Sequence, residues 1–149
     1  MKIPFVHWRR ISFGDTDPAG IVYTPRFSDY SMEAIEVWLS DYIGVNWAQI
    51  NLEEQRGTPV VNMEMTFISP LKANDRCGIY IYVKEIGRTS LTLSLRGFRS
   101  VSRNDEEKSV FNARFVFCFT ENNVRAIPIP ASTRAKLEAY VEKGGIDSS

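Results

Sequence analysis

Histidine and cysteine are scarce in this sequence, which contains one histidine, His7, and two cysteines, Cys77 and Cys118. A single histidine excludes a metal site built from several histidines, and a Ser-His-Asp or Cys-His arrangement would have to use His7. The cysteines are too few and too widely spaced for a CxxC metal pair or a disulfide framework, so we expect two buried free thiols. Acid–base chemistry in this chain would therefore fall to carboxylates.

An excess of charge and a long apolar run are also absent. Lys plus Arg and Asp plus Glu both number 18, which argues against broad electrostatic binding to nucleic acid or to a membrane surface. No apolar stretch approaches the roughly 20 residues that span a bilayer, and the N-terminal residues do not resemble a signal peptide. With 149 residues, 44% of them hydrophobic, the sequence predicts a single cytoplasmic domain over residues 1–149.

Apolar residues recur at steps of three and four in the first third of the chain, which is the period of an amphipathic helix. These residues are Phe27, Tyr30, Ala34, Ile35, Trp38 and Tyr42. We expect the helix to begin with Thr24 as N-cap and Pro25 as the first helical residue, and to stop at Gly44. A shorter helix over residues 47–55, capped by Asn46, is expected to follow.

Beyond residue 57 the apolar period changes to two, which is typical of strands. The alternation predicts strands at residues 60–67, 77–86, 89–101 and 110–119, and residues 5–12 are expected to form an earlier strand. Short polar links, including residues 102–108, predict an antiparallel meander, with a bulge at Gly97. Residues 130–143 predict a C-terminal helix and residues 144–149 a frayed tail. The result is an α+β domain in which one long helix covers a sheet.

Residues 13–25 read FGDTDPAGIVYTP and place two carboxylates, Asp15 and Asp17, in front of a proline, a glycine and a helix start. Residues of these types often form an ordinary surface turn. Less commonly, such residues present a reactive carboxylate beside the N-terminal amides of a helix, which stabilise developing negative charge. The residues alone leave both interpretations open.

The run from Phe13 to Tyr23, with Pro25 after it, resembles the signature of hotdog-fold enzymes of the 4-hydroxybenzoyl-CoA thioesterase type. The likeness continues through residues 57–61, Lys84-Glu85 with Arg88 and Ser90, and residues 125–127 with Pro130. It implies an antiparallel sheet wrapped around one long central helix, and hydrolysis of an acyl-CoA thioester with an aryl or short acyl group. It further implies a homodimer or a dimer-of-dimers tetramer with the active site between two subunits. No metal or other cofactor is implied, because CoA is part of the substrate.

The resemblance also assigns roles to residues. Asp17, the second aspartate of the motif, is the implied catalytic carboxylate, as nucleophile or general base, while amides between Tyr23 and Phe27 polarise the thioester carbonyl. Thr24 is grouped with Asp17 as catalytic because it opens the helix. The predicted substrate-binding residues are Gly20, Tyr23, Thr58, Arg88, Thr89, Ser90 and Arg125, with the arginines facing the CoA phosphates. Asp15 is interpreted as scaffold that bonds amides of its own turn.

Other carboxylates could be catalytic, and other functions are possible for such a fold. Glu33, on the long helix, is the second candidate for a catalytic carboxylate, although Asp29, Glu33 and Glu36 also fit an ordinary solvated face. His7 is interpreted as a strand residue. A non-catalytic acyl-thioester-binding or assembly module remains an alternative. A hotdog dehydratase is disfavoured, because such enzymes usually carry a catalytic histidine after the first strand or on the helix.

Overall fold

The computed structural model describes residues 3–52, 54–100 and 107–149. Its helices are α1 (Arg26–Val37), α2 (Trp47–Leu52) and α3 (Ala131–Tyr140). Its strands are β1 (Phe5–Arg10), β2 (Arg56–Gly57), β3 (Val60–Phe67), β4 (Arg76–Ile86), β5 (Ser90–Ser100), β6 (Lys108–Cys118), β7 (Thr120–Glu121) and β8 (Arg125–Ala126). The expected strand end at Val101 and most of the expected link, residues 102–106, lie outside the described residues.

Five antiparallel strands form the main sheet, in the order β1-β4-β5-β6-β3. Alternate residues of the three central strands are buried on its inner face, as predicted from the period of two: Ile79, Ile81, Val83, Leu91, Leu93, Leu95, Phe111, Ala113, Phe115 and Phe117. The bulge expected at Gly97 is confirmed, since the register between β5 and β6 shifts between Gly97 and Phe98. The Phe111 ring fills the space beside Gly97 that a side chain would need.

Helix α1 packs its apolar side into this core, with Phe27, Tyr30, Ala34 and Ile35 buried. It begins at Arg26, slightly later than expected, with Pro25 in the cap position at φ −61° and ψ −20°. Thr24 contributes its carbonyl, which accepts a hydrogen bond from the Phe27 amide at 3.2 Å. Beyond Val37 the helix widens into π-type turns over Trp38–Ile43 and stops at Gly44, whose φ of 88° is left-handed, as expected for a C-terminal glycine.

The second helix is confirmed but shorter than expected, because α2 ends at Leu52. Its predicted cap is present, since the Asn46 side-chain oxygen accepts the Gln49 amide at 2.9 Å.

Strand β3 corrects the expected meander. β4, β5 and β6 follow one another in the sheet, but β3 pairs with β6 at the far edge instead of with β4. Residues 68–75 therefore carry the chain past two strands, about 14 Å at a strand spacing of ~4.8 Å. As an edge strand, β3 leaves large apolar side chains in solvent, with Val61 59%, Met63 49% and Phe67 49% exposed.

A small second sheet, in the order β2-β7-β8, was not predicted. Each of its strands has only two residues, which is too short to show an alternating pattern. Through this sheet and adjacent backbone contacts, residues 55–57 lie beside residues 120–122.

The C-terminal segment corrects a second expectation. Helix α3 is present as predicted, and the hydroxyl of its Tyr140 donates to the Ile81 carbonyl at 2.6 Å. Residues 146–149 are not a frayed tail, because Ile146 forms a parallel bridge with Val83 and the Asp147 amide donates to the Val83 carbonyl at 2.9 Å. This segment is held by its pairing with β4 and by polar contacts. Its composition indicated neither of these interactions.

The two cysteines differ in environment. Cys77 is buried, and burial followed by the nearby Asp75 charge raises the pKa of its thiol to about 12. Cys118 is only half-buried, so the expectation of a buried thiol is wrong there. Among the helices that the structure describes, none is long and apolar enough to cross a membrane.

Candidate active site

The FGDTDPAGIVYTP motif folds into a tight hairpin that leads directly into α1. Its base is closed by the Tyr23 amide, which donates to the Asp15 carbonyl at 2.9 Å. Nearer the tip, the Asp17 amide donates to the Ile21 carbonyl at 2.8 Å, and the Gly20 amide to the Asp17 carbonyl at 2.9 Å. Gly20 adopts φ 81°, a left-handed conformation that glycine reaches without strain. The motif is thus a structured hairpin that presents Asp17 near its tip.

Asp17 is half-buried and has one oxygen in use. Its Oδ1 accepts the Ala19 amide at 2.8 Å, which fixes the orientation of the carboxylate. No described residue donates a hydrogen bond to the other oxygen, Oδ2, so this oxygen is available for a substrate or a water molecule.

Asp15 has partners other than those predicted, and the expectation that it bonds amides of its own turn is wrong. Its Oδ2 accepts the Tyr30 hydroxyl at 2.7 Å and lies 3.6 Å from Arg9 Nη2, while its Oδ1 lies 3.8 Å from Arg26 Nε. The amide-binding aspartate of this turn is instead Asp17. Asp15 links the hairpin to β1 and α1.

The start of α1 offers four backbone N–H groups between residues 23 and 27, and three of them are bonded within the chain. Tyr23 donates to Asp15, Arg26 donates to the Tyr23 carbonyl at 2.8 Å, and Phe27 donates to Thr24, while Pro25 has no N–H. Among the described residues, nothing accepts a hydrogen bond from the Thr24 amide. Of the amides between residues 23 and 27, Thr24 therefore supplies the one donor left for an external oxygen.

Two large apolar side chains beside the hairpin are exposed, Tyr23 at 56% and Phe13 at 84%. Apolar groups of this size are available to contact a ligand or a second subunit.

Glu33 lies in a charged cluster between α1 and β1. Arg9 Nη1 lies 2.5 Å from Glu33 Oε1, and His7 Nε2 lies 3.0 Å from Glu33 Oε2. Burial alone would raise the pKa of Glu33, but the hydrogen bonds from Arg9 and His7 outweigh it and lower the pKa. The solvated-face interpretation is therefore wrong for Glu33, whereas Asp29 and Glu36 are exposed. Its two partners leave Glu33 poorly placed to act as a free base.

The other predicted binding residues lie in a second group. Thr58 is buried and bonded to the Trp47 indole N–H, and it lines an open groove of about 360 Å³ with Glu36, Asn51 and Asn123. The loop of Arg88, Thr89 and Ser90 is nearby, since the Thr89 carbonyl accepts the Phe119 amide at 2.7 Å and the Pro59 carbonyl accepts the Cys118 amide at 3.1 Å. Arg125 is exposed and ion-paired with Glu121.

These two groups lie at opposite ends of the sheet. The Phe27 ring, at the start of α1, lies 5.6 Å from the ring of Phe111 near the start of β6, whereas Thr89 meets Phe119 just after β6 ends. Residues 111 to 119 span about 25 Å at the rise of a strand. Within one chain, the structure brings Asp17, Gly20, Tyr23 and Thr24 together but leaves Thr58, Arg88 and Arg125 far from them.

The sequence of this chain matches a known protein family. The family model of the thioesterase-like superfamily matches residues 11–137. The chain belongs to the thioesterase-like superfamily. The 4-hydroxybenzoyl-CoA thioesterase of Pseudomonas sp. strain CBS-3 is 30% identical over 127 residues, 83% of this chain and 89% of that protein. The 1,4-dihydroxy-2-naphthoyl-CoA hydrolase of Prochlorococcus marinus subsp. pastoris is 31% identical over 146 residues, 95% and 91% of the two chains.

Solved structures of the thioesterase family agree with the fold. A thioesterase superfamily protein from Jannaschia sp. CCS1 aligns with a TM-score of 0.83 and 29% identity over 99% of this chain and 96% of that one. The Pseudomonas 4-hydroxybenzoyl-CoA thioesterase aligns with a TM-score of 0.80 and 28% identity over 89% and 97%. The prediction of a hotdog-fold thioesterase with one long central helix is confirmed.

Two features around the candidate site were not predicted from the sequence: the contacts of Arg9 and Tyr30 with Asp15, and the pairing of His7 with Glu33. The helical period predicts Tyr30 only as a core residue. The spacing of these residues in the sequence does indicate such contacts. His7 and Arg9 are two apart and so share one face of β1, while Tyr30 and Glu33 are three apart and share one face of α1. Within the described ranges, no three or more His, Cys, Asp or Glu residues cluster closely enough to hold a metal ion.

Proposed function

We propose that this thioesterase-family protein hydrolyses an aryl-CoA thioester, with Asp17 as the catalytic carboxylate and the Thr24 amide as the oxyanion donor. One observation carries the proposal: the hairpin holds a carboxylate with a free oxygen and leads directly into a helix start whose Thr24 N–H has no acceptor among the described residues. A nucleophile or base beside a preformed donor is the pair that acyl transfer needs.

The chemistry follows from these two groups. If Asp17 attacks the thioester carbon directly, its Oδ2 forms a C–O bond, the oxyanion is held by Thr24 N–H, and the C–S bond breaks to release CoA thiolate. Water then hydrolyses the mixed anhydride and restores the carboxylate. If Asp17 acts as general base, it takes a proton from a water molecule that attacks the same carbon. In both routes the thiolate leaves without a strong general acid.

The names of the relatives support an aryl group in the substrate. The Pseudomonas relative is named for 4-hydroxybenzoyl-CoA and the Prochlorococcus relative for 1,4-dihydroxy-2-naphthoyl-CoA. The measurement is release of free CoA thiol from a panel of benzoyl, 4-hydroxybenzoyl, phenylacetyl, 1,4-dihydroxy-2-naphthoyl and aliphatic CoA esters. Faster release from aryl than from aliphatic esters supports the proposal, whereas no release from any ester supports the non-catalytic binding module.

The substrate is proposed to bind between two subunits. In one chain, the group around Asp17 and the group of Thr58, Arg88, Thr89, Ser90 and Arg125 lie at opposite ends of β6, whose residues 111 to 119 span about 25 Å. The exposed edge of β3, with its apolar side chains, can pair with the same edge of a second copy, as unpaired edges commonly do. In such a dimer the arginines and hydroxyls of one subunit would face the CoA phosphates while Asp17 of the other meets the thioester.

The decisive variant is Asp17→Asn. It keeps an oxygen that can accept the Ala19 amide but removes the charged nucleophile or base, so we expect kcat to fall at least about 1,000-fold while the melting temperature changes little. Asp29→Asn, at an exposed position on α1, is the matched control and should keep full activity. Full activity in Asp17→Asn would overturn the assignment.

A further inference from the structure

A buried tyrosine lies directly beneath the proposed catalytic hairpin. Tyr30 is 2% exposed, and its hydroxyl donates to Asp15 Oδ2 at 2.7 Å. The Arg9 guanidinium lies 4.7 Å from the centre of the Tyr30 ring and 3.6 Å from Asp15 Oδ2. Arg9 is itself held from the other side by Glu33 at 2.5 Å. The hydroxyl is thus placed by its helix, and the guanidinium above the ring is placed by an ion pair.

We propose that Tyr30 is a positioning residue for the thioesterase reaction. Its hydrogen bond to Asp15 fixes the hairpin that carries Asp17 relative to the start of α1. The inference rests on the proposed function. The connection is short and continuous: the Asp15 carboxylate binds Tyr30 on the helix, and the Asp15 carbonyl binds the Tyr23 amide next to Thr24. One residue therefore ties the base of the hairpin to the element that supplies the oxyanion donor.

The chemistry of the contact suits this role. Burial, and then the hydrogen bond to the Asp15 carboxylate, raise the pKa of the Tyr30 phenol, so the hydroxyl stays protonated and donates at all working pH values. A hydrogen bond from a hydroxyl to a carboxylate is among the strongest a side chain can make. The Asp15 side chain is mostly buried, which limits competition from water.

Tyr30 acts through Asp15 and not on the substrate, because its side chain is shielded from solvent. Its loss should therefore affect the chemical step more than substrate binding. A displacement of about 1 Å of a reacting group can cost about 100-fold in rate. Replacing tyrosine by phenylalanine removes only the hydroxyl and should leave the apolar contacts of the ring in place.

The test is Tyr30→Phe, compared with Asp15→Asn and with the double variant. We expect Tyr30→Phe to lower kcat about 10- to 100-fold while KM stays within about twofold. Both residues act through one hydrogen bond, so the two losses should not add. The kcat of the double variant should lie within about twofold of that of the slower single variant. Tyr140→Phe is the matched control: Tyr140 is 3% exposed, and its hydroxyl donates to the Ile81 carbonyl. Its ring packs on Trp38, just beyond the C-terminal end of α1 and so at the end of the helix opposite the hairpin. Tyr140→Phe should lower the melting temperature and leave kcat unchanged.

Amide hydrogen exchange gives a readout that does not depend on turnover. The Tyr23 and Gly20 amides, which close the hairpin, should exchange faster in Tyr30→Phe than in the wild type and in Tyr140→Phe. Unchanged kcat in Tyr30→Phe overturns the inference, as does an equal loss of kcat in Tyr140→Phe. If the wild type releases thiol from no ester, the proposed function is wrong, whatever the exchange experiment shows. If the Tyr23 amide also exchanges at the same rate in Tyr30→Phe and in the wild type, the positioning of the hairpin by Tyr30 is wrong as well.

Discussion

Asp17 and Thr24 divide the proposed chemistry between a side chain and a backbone amide. Asp17 has one oxygen oriented by the Ala19 amide and a second without a donor among the described residues. Thr24 matters through its N–H, because its neighbours on both sides either have their amides occupied or, like Pro25, have none. The Thr24 hydroxyl has no assigned part in this arrangement.

This division predicts opposite outcomes for two substitutions of Thr24. Thr24→Ala keeps the amide and should retain kcat within about threefold. Thr24→Pro removes the amide and should lower kcat by about 100- to 1,000-fold, or about 3–4 kcal/mol of barrier, as for other lost oxyanion donors. The measurement is steady-state release of CoA thiol, with circular dichroism to show that both variants fold. An equal loss in the two variants would mean that the hydroxyl, and not the amide, is the important group.

At the scale of single elements, the C-terminal segment shows how a polar tail becomes structured. Burial alone would raise the pKa of Asp147, but hydrogen bonds from Ser149 and Ser94 and the nearby Lys84 charge outweigh it and lower the pKa to about 2. Arg96 lies 3.5 Å from the same carboxylate. These contacts, with the Ile146–Val83 bridge, secure the segment along β4.

The lowered pKa of Asp147 predicts a pH-dependent contribution to stability. Because the folded-state pKa is below the ordinary value of 3.8, the ionised group stabilises the fold above about pH 4, and this contribution disappears as the pH falls toward 2. Asp147→Asn should lower the free energy of unfolding by about 1–2 kcal/mol at pH 7 and by almost nothing at pH 2. Urea unfolding at both pH values measures this, with Asp29→Asn as control. A difference that stays the same at both pH values would contradict the linkage.

At the scale of the whole molecule, the separation of the proposed catalytic and CoA-binding residues is the main reason to expect a dimer. One chain separates the hairpin from the group of Thr58, Arg88 and Arg125 by most of the length of β6. The same chain exposes Val61, Met63 and Phe67 on an unpaired edge strand. A two-fold axis at this edge would repeat both groups and allow each to meet the other across the interface.

Mixed dimers test the shared site. Asp17→Asn and Arg88→Ala, each inactive or weak alone, should recover activity when co-expressed. In a mixed dimer one site carries both defects and the other neither, so random assortment should restore up to about a quarter of wild-type activity. Asp17→Asn mixed with Thr24→Pro is the control and should recover nothing, because both defects lie in the same half of the site. Recovery in neither mixture would indicate that each site lies within one chain.

The elements that could be predicted from the sequence are those specified by neighbouring residues. The alternation in β4, β5 and β6, the helical period from Phe27 to Trp38, the glycine stop at Gly44 and the bulge at Gly97 each depend on side chains a few positions apart. The family motif likewise identified the hairpin from consecutive residues. Within each segment, only one periodicity, that of a helix or that of a strand, places its apolar residues on one buried face. These features were therefore correctly predicted.

The placement of β3 beside β6, the docking of residues 146–149 and the partnership of Asp15 with Tyr30 could not be predicted in this way. Each joins segments distant in sequence, and any antiparallel strand, polar tail or buried hydroxyl has several partners that local chemistry would accept equally well. The choice among them is made by packing, because a buried hydroxyl or carboxylate must find its hydrogen bond where the folded chain places one. Local sequence thus specified the strands, the helices and the hairpin that presents Asp17, whereas long-range packing selected their partners and set this hairpin far from Arg88 and Arg125 of the same chain.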